Sequence, residues 1–227
     1  HIQNARHLKT TPINKRKPGD KRRATSAEAS LWLVQQQDPD NVAYNMTGAI
    51  DIDGLLDAPA MTRALMAVNL RHPALHSLFI EQPDGLILEP RADLIQCPAI
   101  DEADSETDFK TWISEIERVE TARPFRLDKE LPFRARILRL ADNRHRVLIA
   151  FHHIAADAYA IDIFSRDLEE SYRRALENPG LEPAELSEQL APPGFDPLAA
   201  EERLDFTEDG AAAAALRRWA LRLKGVG

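Results

Sequence analysis

Two adjacent histidines, His152 and His153, close the run Val147-Leu148-Ile149-Ala150-Phe151, and Asp157 stands four residues beyond the second of them. The run has the length and composition of a strand buried on both faces. Side chains alternate along a strand, so the two imidazoles point to opposite sides and only one can face a given pocket. An imidazole exchanges a proton near neutral pH, and one set at a strand end, beside the loop into a helix, can reach a substrate. A carboxylate at position 157 has two uses, to orient a histidine or to pair with a buried arginine that braces the loop. The same residues also suit a structural role as hydrogen-bonded histidines of a core or its rim. Zinc fits less well, because it needs three or four converging ligands, adjacent histidines diverge, and Cys97 has no companion at ligand spacing. With no Gly-rich phosphate loop, no Cys-x-x-Cys and no Gly-x-Ser-x-Gly elbow, neither a metal nor an intrinsic cofactor is expected.

The elements that must position this cluster follow from pattern. Ser26 to Val34 reads as a helix behind a Ser or Thr cap, and Met46 to Ile52 alternates as a strand closed by Asp53-Gly54. A helix starts near Asp57, carries Met61, Leu65 and Val68 on one face, and stops before Pro73. Leu75 to Glu81 and Leu86 to Glu89, joined by Gln82-Pro83-Asp84-Gly85, make a hairpin. Phe109, Trp112, Ile113, Ile116 and Val119 mark a helix that should pack on something apolar. Phe133 to Leu140 pairs with the strand that carries the histidines, and Ile161, Phe164, Leu168, Tyr172 and Ala175 mark the helix after them, ending near Asn178. Residues 181 to 205 read as a surface loop, and a last helix runs from about Glu208 to Leu223. Strands alternate with helices, so the class is α/β, a mixed sheet flanked by helices.

With 227 residues, 44% of them hydrophobic and 29% charged, the chain can bury one sizeable core. No run approaches the roughly 20 apolar residues of a membrane helix and no leader is visible, which predicts a soluble, cytoplasmic protein without a membrane partner. The single cysteine, Cys97, lies in a mostly apolar stretch and reads as a buried structural thiol. Charge is uneven: residues 1 to 23 hold eight basic residues against Asp20 alone, a net +7, which leaves −15 on the remainder of a chain of net charge −8. That stretch, with Pro12, Pro18 and Gly19 and no helical period, reads as a linker or arm. It lacks the aromatic interleaving of a nucleic-acid tail, so no nucleic-acid partner is expected.

His152-His153-Ile154-Ala155-Ala156-Asp157-Ala158 resembles the HHxxxDG signature of the condensation domains of nonribosomal peptide synthetases, which belong to the chloramphenicol-acetyltransferase-like superfamily. Neighbouring segments resemble the family's other motifs in the family's order. Ser26-Ala27-Glu28 with Leu31-Trp32-Leu33 is similar to the opening SxAQxxxW segment, and Ala43-Tyr44-Asn45 to the tyrosine segment after it. Arg71-His72-Pro73-Ala74-Leu75-His76-Ser77-Leu78-Phe79 is similar to RHExLRTxF. Pro124-Phe125-Arg126-Leu127 and Leu131-Pro132-Phe133-Arg134 resemble the approach to the histidine motif. Phe195 to Ala199 and Trp219 to Leu223 match later landmarks more loosely.

The resemblance implies that residues 24 to 227 are the N-terminal lobe of a two-lobed, V-shaped fold, with residues 1 to 23 an interdomain linker. Family members join an acyl or peptidyl thioester to an aminoacyl acceptor, both carried on the phosphopantetheine arms of carrier proteins that dock at the two mouths of a tunnel. The implied partners are therefore carrier proteins, a C-terminal lobe and neighbouring synthetase domains. Carried over by position, His153 faces the tunnel as general base or as a hydrogen-bonding positioner of the amine, while His152, Asp157 and Arg134 are structural, with Asp157 paired to Arg134 on the adjacent strand. Ala158 stands where the signature has Gly, a change expected to restrict the backbone or narrow the site. Glu28, Ser30, His76 and Ser77 also depart from the family pattern. A lone lobe is expected to turn over little. Two other readings share the motif: a related acyltransferase or epimerization domain, and a noncatalytic domain that docks carrier proteins or a tailoring enzyme.

Overall fold

A computed structural model describes residues 20–103 and 108–191, all within one compact unit, Pro18–Pro193. Most of the basic arm, the helix expected at 208 to 223 and the landmarks at 195 to 199 and 219 to 223 lie outside the described residues.

Strand β1 (Arg22–Arg23) and helix α1 (Ser26–Gln37) open the described fold. A capping box starts the helix: the Thr25 hydroxyl accepts from the Glu28 amide at 3.2 Å, and the Glu28 carboxylate accepts from the Thr25 amide at 2.8 Å. Glu28, a departure from the family pattern, also takes both ends of the Arg22 guanidinium at 2.6 and 2.7 Å. The expected arm boundary after residue 23 therefore falls inside folded structure, because β1 pairs with the strand that contains Leu88 and Ile87.

Strand β2 (Asn45–Asp53) leads to α2 (Ala58–Arg71), capped by Asp57 with Pro59 in its first turn. The expected hairpin forms as β3 (Ser77–Gln82) and β4 (Gly85–Pro90), with Gly85 at φ 128°, a backbone setting that suits glycine. It starts two residues later than the pattern indicates, since Pro73–His76 winds into a 3-10 turn. The remaining elements are β5 (Ala99–Glu102), α3 (Phe109–Ala122), β6 (Phe133–Ala141), β7 (Arg144–His152), α4 (Ala158–Glu177) and α5 (Pro183–Gln189). A surface loop was expected where α5 stands. Pro183 at its start, the Glu182/Glu185 capping box and the burial of Leu186 and Leu190 favour a short helix instead.

The sheet that carries the site runs β2-β7-β6-β5, with β5 parallel to β6 and the other pairs antiparallel, so it is mixed as expected. β1, β4 and β3 form a second sheet. In the four-stranded sheet, the inner strand β7 serves two layers. Val147, Ile149 and Phe151 join Met61, Leu65 and Val68 of α2 and Phe164 and Leu168 of α4 in the largest core. Ala150 belongs instead to a core with Trp32, Phe79, Leu88, Phe125, Leu127 and Ile154.

Helix α3 meets charged as well as apolar residues of the sheet. Arg146 of β7 is held by Asp51 and by Glu117 of α3, and Arg136 of β6 by Asp101 and by Glu120 of α3. Directly paired residues share a face, so the face that bears Arg136 and Arg146 also bears the buried Leu148 and Leu138. Trp112, Ile113 and Ile116 are half-buried, while Phe109 and Val119 stay 38% and 43% exposed. Cys97 is exposed rather than buried, with its sulfur 3.7 Å from that of Met66.

Candidate active site

The histidine loop is pinned by its own main chain. At the end of β7 the His152 amide donates to the Pro132 carbonyl at 3.0 Å, and the His153 amide donates to the Tyr44 carbonyl at 2.8 Å. The Ala155 amide then closes a turn onto the His152 carbonyl at 3.0 Å. Asp157 ends the loop as the N-cap of α4, its carboxylate accepting from the Ala160 amide at 2.8 Å.

Strand alternation separates the two rings. His152 is fully buried and His153 is exposed. The bonds of His152 fix its tautomer. Its Nδ1 accepts from the Ile154 amide at 3.1 Å, so Nε2 carries the proton and donates to Oε1 of Gln35 at 3.2 Å. The Gln35 amide is itself oriented, because its Nε2 donates to the Pro39 carbonyl at 3.0 Å and to the Asn41 carbonyl at 3.4 Å. Rings enclose the rest of His152: Phe125 lies edge-on at 5.9 Å between centroids and Tyr44 tilted at 6.1 Å.

Burial, with a smaller push from His153, lowers the pKa of His152 to about 4 from an ordinary 6.5. Between these values the unfolded chain binds a proton that the folded chain refuses, so the unfolded state gains as the solution is acidified. This stabilisation is complete above pH 6.5 and is lost as pH falls towards about 4, a loss of roughly 3 kcal/mol for this residue. His72 and His76, also pushed down by burial, steepen the same trend. Urea midpoints measured from about pH 7 to about pH 4.5 should fall, and His152→Asn should flatten but not abolish the slope. A midpoint constant over that range would contradict the buried neutral ring.

His153 has the complementary arrangement. Its Nδ1 lies 2.8 Å from the Ala156 carbonyl, which can only accept, so Nδ1 carries the proton. In the neutral ring Nε2 then keeps its lone pair on an exposed side chain. Such a nitrogen can accept a proton or a hydrogen bond from a bound amine.

The structure does not bring Asp157 to Arg134. Asp157 is exposed and engaged in capping, whereas the ionic partners of Arg134 among the described residues are Glu120 at 3.4 Å and Glu130 at 3.8 Å. Arg134 also donates to the Arg123 carbonyl at 2.8 Å, and its guanidinium carbon sits 3.8 Å from the centre of the Phe125 ring. The reason is direction: Arg134 pairs across the sheet with Ala150, on the face that meets Phe125 and α3, while a carboxylate at a helix start finds its own amides first. Arg134 thus supports the site through Phe125, which packs on His152. Ala158 is the first residue of α4, and no described non-glycine residue has positive φ, so its methyl strains no backbone.

Gln35 is the site residue that pattern reading passed over. Its signal was present: Glu28, Trp32 and Gln35, spaced four and then three apart, are the buried residues of α1. Among the described residues no group of three His, Cys, Asp or Glu side chains could hold a metal ion.

Residues 20–188 match the family model described as the condensation domain. The chain is 32% identical over 194 residues to the chondramide synthase of Chondromyces crocatus, covering 80% of this chain and 5% of that protein. It is 32% identical over 183 residues to a nonribosomal peptide synthetase of Curvularia clavata, covering 80% of this chain and 1% of the relative. It therefore spans only a small part of the curated relatives it matches. Among solved structures, the starter condensation domain of rhizomide synthetase superposes with a TM-score of 0.72 at 20% identity, over 89% of this chain and 49% of that one. The first condensation domain of the calcium-dependent antibiotic synthetase, solved with a substrate analogue, gives 0.62 at 27% identity, over 73% of this chain and 40% of that one. The histidine loop, the mixed sheet that carries it and the match across nearly the whole described unit together show that the chain belongs to the condensation-domain family of nonribosomal peptide synthetases.

Proposed function

We propose that this chain is the N-terminal lobe of a condensation domain and that His153 carries its chemistry. The observation that supports this most directly is the bond from Nδ1 of His153 to the Ala156 carbonyl, which leaves Nε2 free on the exposed side of the loop. The acceptor amine, held on the phosphopantetheine arm of one carrier protein, attacks the thioester carbonyl carbon of the acyl or peptidyl group held on another. The C–N bond forms, the C–S bond breaks, and one amine proton passes to Nε2 and on to the departing thiolate. A positioner would hold the same amine by accepting its hydrogen bond without taking the proton. His152 keeps the loop in shape from the buried side, and Arg134, Phe125 and Asp157 brace its surroundings.

Carrier proteins, a C-terminal lobe and neighbouring synthetase domains complete this reading, which places the chain in the cytoplasm with the residues before 20 leading from an upstream domain. Ala158 lends no weight to a noncatalytic docking role, because its helical setting accepts a methyl group.

The test supplies loaded donor and acceptor carrier proteins to the chain joined to a downstream lobe and to the chain alone, with amide product read by mass spectrometry. The joined form should condense. The 227-residue chain alone should run slower by at least about 10²-fold, since one wall of the site that orients the reactants is absent. Equal turnover by the lone chain would reject the half-site reading. Product made only from coenzyme A thioesters, only with alcohol acceptors, or by epimerization of a bound residue would move the chain to a related activity.

A further inference from the structure

We infer that Gln35 is a positioning residue: by accepting the Nε2 proton of His152, it commits His152 Nδ1 to the Ile154 amide and so shapes the turn that presents His153. The chain of bonds has one polarity throughout. The carbonyls of Pro39 and Asn41 both accept from Nε2 of Gln35, which leaves its oxygen for the ring. An acceptor at that point selects the Nε2–H form of His152. The opposite nitrogen is then an acceptor, and the one donor it meets is the amide of Ile154. The reversed tautomer would set two N–H groups against each other at Ile154 and would leave Oε1 of Gln35 facing a lone pair. His152 is fully buried and Gln35 is 2% exposed, so water cannot repair either fault.

The consequence falls on His153, which sits between the two ends of this turn. Its amide is tied to Tyr44 and its ring to Ala156, so a turn that opens at Ile154 frees the ring to exchange its tautomer and turn Nε2 away. Helix α1, distant in sequence from the histidine motif, thereby sets the protonation pattern of the site.

The effect on turnover rests on the condensation reading; the effect on the rings does not, and the two are measured separately. Nitrogen-15 spectra of the histidine rings in the 227-residue chain should show His152 as the Nε2–H form and His153 as the Nδ1–H form. In Gln35→Met, which keeps length but removes the acceptor, exchange of the Ile154 amide should quicken by about tenfold, the scale of one lost hydrogen bond. His153 should shift towards a mixture of tautomers. In the two-lobed enzyme the same change should lower kcat by roughly 10-fold to 10²-fold with a smaller change in KM, as expected for a misplaced reacting group. A structural role alone would lower the unfolding midpoint without moving the His153 tautomer or separating kcat from KM. An Nδ1–H form of His152 in the unmodified chain overturns the inference even if the variant does not fold. So does a folded Gln35→Met with Ile154 exchange and His153 tautomer unaltered. Ring spectra as expected, in an enzyme indifferent to loss of His153, would sustain the inference and reject the condensation reading.

Discussion

Replacing His153 with alanine in the two-lobed enzyme is expected to lower the condensation rate by about 10² to 10⁴-fold, the range of a positioned acid–base group. The fold should survive. The side chain is exposed, and the one side-chain bond it makes, from Nδ1 to the Ala156 carbonyl, is worth about 1 kcal/mol. The loop keeps its main-chain anchors to Pro132 and Tyr44 whatever the side chain at 153. Loss of rate with an unfolding midpoint almost unmoved would therefore locate the effect in chemistry. His153→Asn separates the two roles: an amide oxygen can accept a hydrogen bond from the amine but cannot take its proton. Substantial activity in the asparagine variant means positioning, and a loss equal to that of alanine means proton transfer. An alanine variant within about threefold of the parent would remove His153 from the mechanism, since that is under 1 kcal/mol of barrier.

Arg134→Met should be the most damaging single change to stability around the site, costing about 3 to 5 kcal/mol, as for breaking one side of a buried ion pair. The Arg134 side chain is 11% exposed and that of its partner Glu120 is 7% exposed. Burial, followed by the nearby Arg123 charge, already pushes the Arg134 pKa down, so the cation is held at a cost that its surroundings must offset. Those surroundings are Glu120, Glu130, the carbonyls of Arg123, Glu120 and Pro124, and the face of Phe125. Arg136 still pairs with Glu120 in the variant, which favours the lower end of the range. Asp157→Ala should cost only about 1 kcal/mol, the value of an N-cap. Because the two residues serve different partners, the double variant should equal the sum of the singles within about 0.5 kcal/mol. Urea unfolding of the four proteins measures this directly. A coupling well above 1 kcal/mol would restore the Asp157–Arg134 pair that the family pattern implies.

Other departures from the family pattern find a local use in this chain. Glu28, in place of Gln, completes the capping box of α1 and binds Arg22 with both oxygens. His76 is buried and bonded through Nδ1 to the Asn69 carbonyl at 2.7 Å, and the Ser77 hydroxyl donates to the Pro73 carbonyl at 2.7 Å.

Local features were legible in the residues alone. Alternation along Val147 to Phe151 places His152 and His153 on opposite sides, Thr25 and Asp57 start helices, and Pro83-Asp84-Gly85 turns a hairpin, because each rests on bonds or directions within a few residues. The short helix α5 carried equally local signals in Pro183 and Glu185, which the Pro and Glu content of its surroundings masked. Partnership across the chain depended instead on how distant elements pack. Arg134 meets Glu120 and Phe125 rather than Asp157 because strand register chooses the face on which it stands. Gln35 reaches His152 because α1 lies against that same core, 117 residues away in sequence. Helix α3 meets Arg136 and Arg146 as ion-pair partners because strand register sets them on the same face as Leu148 and Leu138. A pattern of apolar residues states that a face will be covered; the register and packing of other elements determine by what.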